Sequence, residues 1–284
     1  MKILITGSSG YIGSGLSQFL KQMGVDLVTI NREKGIDMSR IGWVKNLKVK
    51  NIHTIIHLAQ SRNYWDFENK SQEIFAVNVS ATHEILNWAK KNKVKRFFFA
   101  STFNVYDCYQ NGVLNEKSAI NPISFYGISK SLSEKLVSHY STFFETIIFR
   151  FNTVYGLGQK NNLFPKMIKK LIDKEKFFYA KNIGLLLSPI YLDDLTSIIY
   201  KFIICNERFQ NEIFNISSDE IISLKEIVNK ISQHFNINQN YAITDENVMN
   251  FSSDPSKLLN FIDKDFSFVS INEGIKKICD EISV

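Results

Sequence analysis

The chain has 284 residues, 44% of them hydrophobic, enough to bury a core in one large domain or two modest ones. Lys and Arg number 34 against 28 Asp and Glu, a net charge of +6. The surplus is spread in runs such as KKNKVKR and KMIKKLIDKEK, which read first as a solvated basic face; attraction to an anionic small molecule is compatible, and nucleic-acid binding has no motif behind it. Cys108, Cys205 and Cys279 are too few and too far apart for a disulfide framework, and the five His have no metal-ligand spacing, so no metal is expected. No apolar run reaches the roughly 18 residues of a membrane helix, and KILITG at the start has no signal-peptide pattern. A soluble, cytoplasmic protein in a reducing compartment is the expectation, with no membrane partner.

In chain order, KILITG (2–7), DLVTIN (26–31), HTIIHLA (53–59), RFFFAST (96–102) and ETIIFRF (145–151) read as buried strands. Stretches 11–22, 71–91, 127–143 and 193–204 read as helices. Strand alternating with helix predicts an α/β fold with a doubly wound parallel sheet of the Rossmann kind. Beyond FRFNTVYGLGQ the rhythm loosens into helices at 162–174, 223–235 and 271–282 with short strands such as EIFNIS (212–217). This predicts a dinucleotide-binding domain over 1–155. A smaller, mainly substrate-binding lobe follows over 156–284, and its segment near 186–217 returns to the main sheet. NINQN (236–240) reads as a loop.

The first strand runs into ITGSSGYIGSGL, where Gly7, Gly10 and Gly13 are spaced G-x-x-G-x-x-G before an amphipathic helix. Glycines there allow a tight turn and a close approach of backbone N–H groups to a pyrophosphate. The helix N-terminus, with Tyr11 and Ile12, adds partial positive charge. A carboxylate at the end of the second strand would hold the ribose hydroxyls of NAD. Asn31 and Arg32 stand there instead, and Arg can pair with a 2′-phosphate, so NADP is expected with NAD as the alternative. An ordinary solvated loop arginine would look the same. On the NADP reading, Arg32→Asp weakens NADPH far more than NADH.

SFYGISKSLSEK puts a phenol and an amine one helical turn apart, at Tyr126 and Lys130. The pair alone decides little. Together with the glycine turn, HLAQ (57–60), NVSATHEILNWAKKNKVKRFFFAST, FYGISKSLSEKL, FRFNTVYGLGQ and YLDDL (191–195), it makes the chain resemble the extended short-chain dehydrogenase/reductases that act on nucleotide sugars. The resemblance spans nearly the whole length.

It implies a catalytic trio of Thr102, Tyr126 and Lys130. Thr102 would hydrogen-bond the substrate oxygen, and Tyr126 would exchange a proton with it while hydride moves to or from a nicotinamide. Lys130 would hold the nicotinamide ribose and, as an ammonium together with the positive nicotinamide, lower the phenol's pKa toward neutrality. The resemblance further implies that Asp37 and Met38 touch adenine and that Leu58, Ala59 and Gln60 line the cofactor. Arg62, Asn104 and Thr153 would face the substrate. Tyr64 and Trp65 can pack on a sugar or simply in the fold, Asn78 can brace the active-site strand, and Cys108 has no base beside it. Homodimers are common in such proteins.

Three reactions share this site. Dehydratases carry Asp-Glu after the active-site Thr, where this chain has Phe103 and Asn104, which argues against dehydration. The epimerases' diphosphate-binding Arg is replaced by Leu187, and SPIY (188–191) resembles the dTDP-4-dehydrorhamnose reductase branch. The main expectation is therefore an NADPH-dependent reductase of a nucleotide-linked 4-keto-6-deoxy sugar. A nucleotide-sugar 4-epimerase is the alternative, and a cofactor-binding regulatory protein the non-enzymatic one.

Overall fold

A computed structural model describes residues 1–282. In chain order the strands are β1 (Lys2–Thr6), β2 (Asp26–Ile30), β3 (Thr54–His57), β4 (Arg96–Thr102), β5 (Glu145–Phe151), β6 (Val154–Tyr155), β7 (Lys176–Ala180), β8 (Leu186–Leu187), β9 (Ile190–Tyr191), β10 (Glu212–Ile216), β11 (Ile222–Ser223), β12 (Asn240–Thr244) and β13 (Asn250–Phe251). The α-helices are α1 (Tyr11–Gln22), α2 (Phe67–Phe75), α3 (Ala81–Lys91), α4 (Phe125–Tyr140), α5 (Leu163–Ile172), α6 (Leu192–Ile204), α7 (Leu224–Phe235), α8 (Ser256–Ile262) and α9 (Ile271–Ile282). They fall into two compact units. Unit 1 holds Met1–Asp107, Ile120–Arg150 and Ile199–Phe214; unit 2 holds Cys108–Ala119, Phe151–Ile198 and Asn215–Val284.

Unit 1 is built on the six-stranded sheet β2-β1-β3-β4-β5-β10. The pairings β1–β2, β1–β3 and β3–β4 are all parallel. The apolar runs of β3 and β4 are buried at every position, as expected of strands covered on both faces. Leu4, Ile55, Phe97 and Ile148 join Leu86 of α3 and Val137 of α4 in the core beneath the helices. Because β1, β3 and β4 run parallel, they deliver Gly7, Leu58 and Phe103 to one edge of the sheet, the edge where open α/β folds bind ligands.

The long helix expected over 71–91 is divided. α2 ends at Phe75, a turn of π-helix covers Ala76–Ser80, and α3 continues from Ala81. Its centre is Asn78, buried and used in hydrogen bonds described below. Such single-turn bulges collect at functional sites.

Unit 2 has shorter strands, in the sheets β11-β8-β13, β12-β7 and β6-β9. Its core packs Tyr155, Phe164, Met167, Leu187, Ile227, Ile231 and Ile275. α7 starts with a reciprocal capping box between Ser223 and Glu226 and ends at Asn236, whose φ of 52° is left-handed. NINQN is therefore a loop only up to Gln239, since Asn240 opens β12. Among the described residues, no helix is long and apolar enough to cross a membrane.

Candidate active site

The turn after β1 is drawn tight by its glycines. A Cβ on Gly13 would lie 2.2 Å from the Gly7 carbonyl oxygen, so the first turn of α1 can approach the loop only without a side chain. Gly10 caps α1 with no side-chain hydrogen bond, which leaves the helix's first N–H groups facing outward beside Tyr11 and Ile12. A bare cradle at the N-terminus of a 12-residue helix suits the phosphates of a dinucleotide. Ser8 donates to the Ile30 carbonyl at 3.3 Å and accepts from Asn31 Nδ2 at 3.4 Å, tying the turn to the end of β2.

Asn31 works on its own loop. Its Oδ1 accepts from the Lys34 N–H at 3.0 Å and caps a short 3-10 turn. Arg32 is held between two carboxylates, at 3.7 Å from Asp37 and 3.5 Å from Glu73. Asp37 also pairs with Arg40 at 3.4 Å and accepts from Ser39 Oγ at 2.7 Å. The Ser39 bonds, aided by Arg32 and Arg40, hold the Asp37 carboxyl below its usual range. Arg32 thus stands between carboxylates. Met38 is buried in the core of unit 1.

At the ends of β3 and β4 and the start of α4, three of the expected residues converge. Thr102 is buried, and its Oγ1 accepts from the Asn104 N–H at 3.2 Å and from Asn104 Nδ2 at 3.1 Å. With both lone pairs taken, its own proton is free to be donated, and its side chain lies close enough to Tyr126 to pull the phenol's pKa down. The Tyr126 hydroxyl in turn donates to Gln60 Oε1 at 2.8 Å. Tyr64, from the segment after β3, lays its ring against that of Tyr126 with centroids 4.7 Å apart.

Lys130 lies one turn further along α4, fully buried, its Nζ 4.2 Å from the centre of the Phe99 ring. Burial around the Tyr126 hydroxyl raises its pKa well above the ordinary value, and Tyr64 adds to the rise. Burial also brings Lys130 down to about 7, opposed by Glu134. In an apolar pocket, loss of hydration outweighs the attraction of a neighbouring amine that is itself only partly charged.

Residues outside the trio hold this arrangement together. A Cβ on Gly127 would sit 2.1 Å from the Asn104 carbonyl oxygen, so α4 reaches the end of β4 only because that position is glycine. Asn78, in the π-turn, accepts from the Ser61 N–H at 2.9 Å and donates to Ser129 Oγ at 2.9 Å. Ser129 passes the chain on to the Tyr126 carbonyl at 2.7 Å. Asn78 therefore braces the segment after β3 against α4. His57 is wholly buried, with Nδ1 2.7 Å from Thr6 Oγ1 and Nε2 3.0 Å from Thr82 Oγ1. Thr82 donates to the Asn78 carbonyl, so His57 carries its proton on Nε2 and Thr6 donates to Nδ1. Glu134 receives both Arg150 Nη2 at 2.7 Å and Nε at 3.0 Å, joined by Ser101 Oγ. The spacing Tyr126–Lys130–Glu134 was the one available signal for this last group.

Leu58 and Ala59 follow β3 beside the turn, and the Ala59 N–H donates to Thr6 Oγ1 at 3.3 Å. Arg62 Nη2 reaches Ser9 Oγ of the glycine turn at 3.5 Å. Trp65 is 67% exposed and packs edge-on to Tyr64. Thr153 belongs to unit 2, where its N–H donates to Asn152 Oδ1 at 2.7 Å. Leu187 is buried in the unit 2 core, and Cys108 is buried in the same unit.

Residues 3–217 match the model of the NAD dependent epimerase/dehydratase family. Over 288 residues the chain is 28% identical to a GDP-6-deoxy-D-talose 4-dehydrogenase of Aggregatibacter actinomycetemcomitans, covering 98% of this chain and 97% of that protein. It is 29% identical over 267 residues to a dTDP-D-glucose 4,6-dehydratase of Dictyostelium discoideum, covering 81% and 61%. Among solved structures, UDP-glucuronic acid 4-epimerase of Bacillus cereus in complex with UDP-glucuronic acid and NAD superposes with a TM-score of 0.84 at 22% identity, over 100% of this chain and 99% of that one. UDP-glucose 4-epimerase of Thermus thermophilus in complex with NAD superposes at 0.81 with 18% identity, over 100% and 99%.

Proposed function

The chain belongs to the NAD dependent epimerase/dehydratase family, and from that premise we propose that it is an NAD-linked enzyme acting at a hydroxyl-bearing carbon of a nucleotide sugar, most simply as a 4-epimerase. The observation that carries the reading is the meeting of the Thr102 and Tyr126 hydroxyls at the strand edge that also bears the glycine turn, with Lys130 on the same helix as Tyr126. Gly7 to Gly13 and the N-terminus of α1 would hold the pyrophosphate, Asp37 the adenosine end, and Lys130 the nicotinamide ribose. The cofactor supplies the hydride acceptor and donor. NAD is favoured over NADP because Arg32 is already engaged by Asp37 and Glu73.

The protein's part is proton handling and orientation. Oxidation of the carbinol removes a hydride from carbon and a proton from oxygen. Thr102 fixes that oxygen, Tyr126 Oη, once ionised, takes the proton, and the same atom returns it when the ketone is reduced from either face. Phe103 is buried in the apolar interior, and Asn104 spends its amide on Thr102. Neither is an acid or base for dehydration.

A second reading is a one-way 4-reductase of a nucleotide-linked 6-deoxy sugar, supported by the 28% identity over nearly the whole chain with a protein named as a 4-dehydrogenase of such a sugar. One experiment separates the two. Purified protein is assayed for bound NAD, then given UDP-glucuronic acid, UDP-glucose and GDP-linked 4-keto-6-deoxy sugars. Inversion at C4 with no net change in nicotinamide absorbance supports the epimerase. Steady consumption of NADH or NADPH with the keto sugar supports the reductase. Tyr126→Phe should abolish either activity while cofactor still binds, and a variant with near-normal turnover would sink both readings.

A further inference from the structure

We propose that Gln60 is a positioning residue for Tyr126: its amide oxygen accepts the phenol's proton in a hydrogen bond and keeps the site at rest in the acid form. The inference rests on the reading of Tyr126 as the proton-exchanging group. The Tyr126 hydroxyl has one proton to donate, and it is directed 2.8 Å to Gln60 Oε1 and not to Thr102, whose oxygen already accepts twice from Asn104. The Thr102 side chain draws the phenol's pKa down, although burial outweighs it. Its effect and that of the Gln60 acceptor are opposite in sense. A donor to the phenol oxygen favours phenolate, and an acceptor of its proton favours phenol.

The surroundings lean the same way as Gln60. Tyr64, its ring against that of Tyr126, is the titratable group facing the phenol from the segment after β3. Lys130 is the titratable group on α4 itself, and behind it His57 is buried without charge. Gln60 and Tyr64 stand four residues apart on one short segment. That segment is braced through the Ser61 N–H to Asn78 and through Asn78 to Ser129 of α4. The hydrogen-bond partner of the phenol is thus fixed by the same residues that fix the phenol. A site held in this way starts by giving a proton, as reduction requires. To begin by oxidation, the phenol must first give up that proton and turn from Gln60 to the substrate oxygen.

Gln60 is exposed, so replacing it removes no core contact. The test is a titration of Tyr126 in protein carrying ring-labelled tyrosine, saturated with NAD+, with Tyr126→Phe to identify its NMR signal. No substrate is needed. In Gln60→Leu, which keeps the bulk and loses the acceptor, the phenol should ionise about one pH unit lower than in the parent protein, the size expected of one hydrogen bond. Gln60→Glu, which restores the acceptor and adds a charge, should return it to the parent value or above. An unchanged or raised midpoint in Gln60→Leu, or a lowered one in Gln60→Glu, would overturn the proposal. Hydride transfer from UDP-glucuronic acid surviving in Tyr126→Phe would instead sink the reading of the reaction, and the catalytic meaning of the Gln60 bond with it, whatever the titration gives.

Discussion

Two clusters of Arg with carboxylates in unit 1, one beneath α4 and one beside the glycine turn, differ in almost everything but chemistry. Beneath α4, Glu134 and Arg150 meet through two hydrogen bonds with side chains only 8% and 4% exposed, and Ser101 and Tyr106 take up further polar atoms. Beside the glycine turn, Arg32, Asp37, Arg40 and Glu73 form looser pairs at 3.4 to 3.7 Å, with Arg40 83% exposed. Burial decides what each can do. The inner pair cannot leave without stranding a charge in the core, so it locks the helix bearing Tyr126 and Lys130 to β4 and β5. The outer cluster is solvated, exchanges partners cheaply and sits where a cofactor's ribose would come.

The contrast can be broken most forcefully from the inside. Glu134→Ala should cost about 3–5 kcal/mol of stability by urea denaturation, because Arg150 is left buried and unpaired. Replacing both partners by apolar residues of like volume, Glu134→Leu with Arg150→Met, should recover most of that loss. If the single variant cost no more than a surface pair, the inner cluster would not be a lock.

A second buried group sharpens the point through pH. His57 is held down to about 3 by burial and by Lys130, against an ordinary value of 6.5. Its folded pKa is depressed, so the unfolded chain binds the proton more readily. The stability it lends is complete above pH 6.5 and shrinks as pH falls toward 3. Between pH 6.5 and pH 5 the loss should be about 2 kcal/mol. Denaturation at a series of pH values measures this, and NMR should find the ring uncharged at pH 5.

Changes to the outer cluster should be smaller and should appear in binding. Asp37→Asn with Glu73→Gln releases Arg32 and should tighten NADP+ relative to NAD+ by about five- to tenfold, equivalent to about 1–1.4 kcal/mol. Equilibrium titration with each cofactor measures the ratio, and no change would mean that Arg32 lies outside the 2′-position. Least of all, Asp37→Asn alone should alter folding stability by less than about 1 kcal/mol.

Much of this architecture was open to view in the residues. β1, β3 and β4 are continuous apolar runs, and the spacing of Gly7, Gly10 and Gly13 after the first of them announces the turn. Thr102, Tyr126 and Lys130 were legible because short motifs carry them. Other features had no local trace. The expected helix over 71–91 breaks into a π-turn around Asn78 through contacts with residues 17 positions back and 51 ahead. Arg32 suggested NADP when read beside Asn31, yet the carboxylate of Glu73, 41 residues on, engages it.

The amino-acid order by itself determined the alternation of strand and helix and the glycine turn, because each rests on periodicity or on steric demands within a few residues. Only the tertiary structure decided which proton partner Tyr126 meets, how far burial moves the charges of Tyr126 and Lys130, and which ion pairs lie inside. Those quantities depend on hydration lost and on distances between groups far apart along the chain, and neither is encoded by neighbours in sequence.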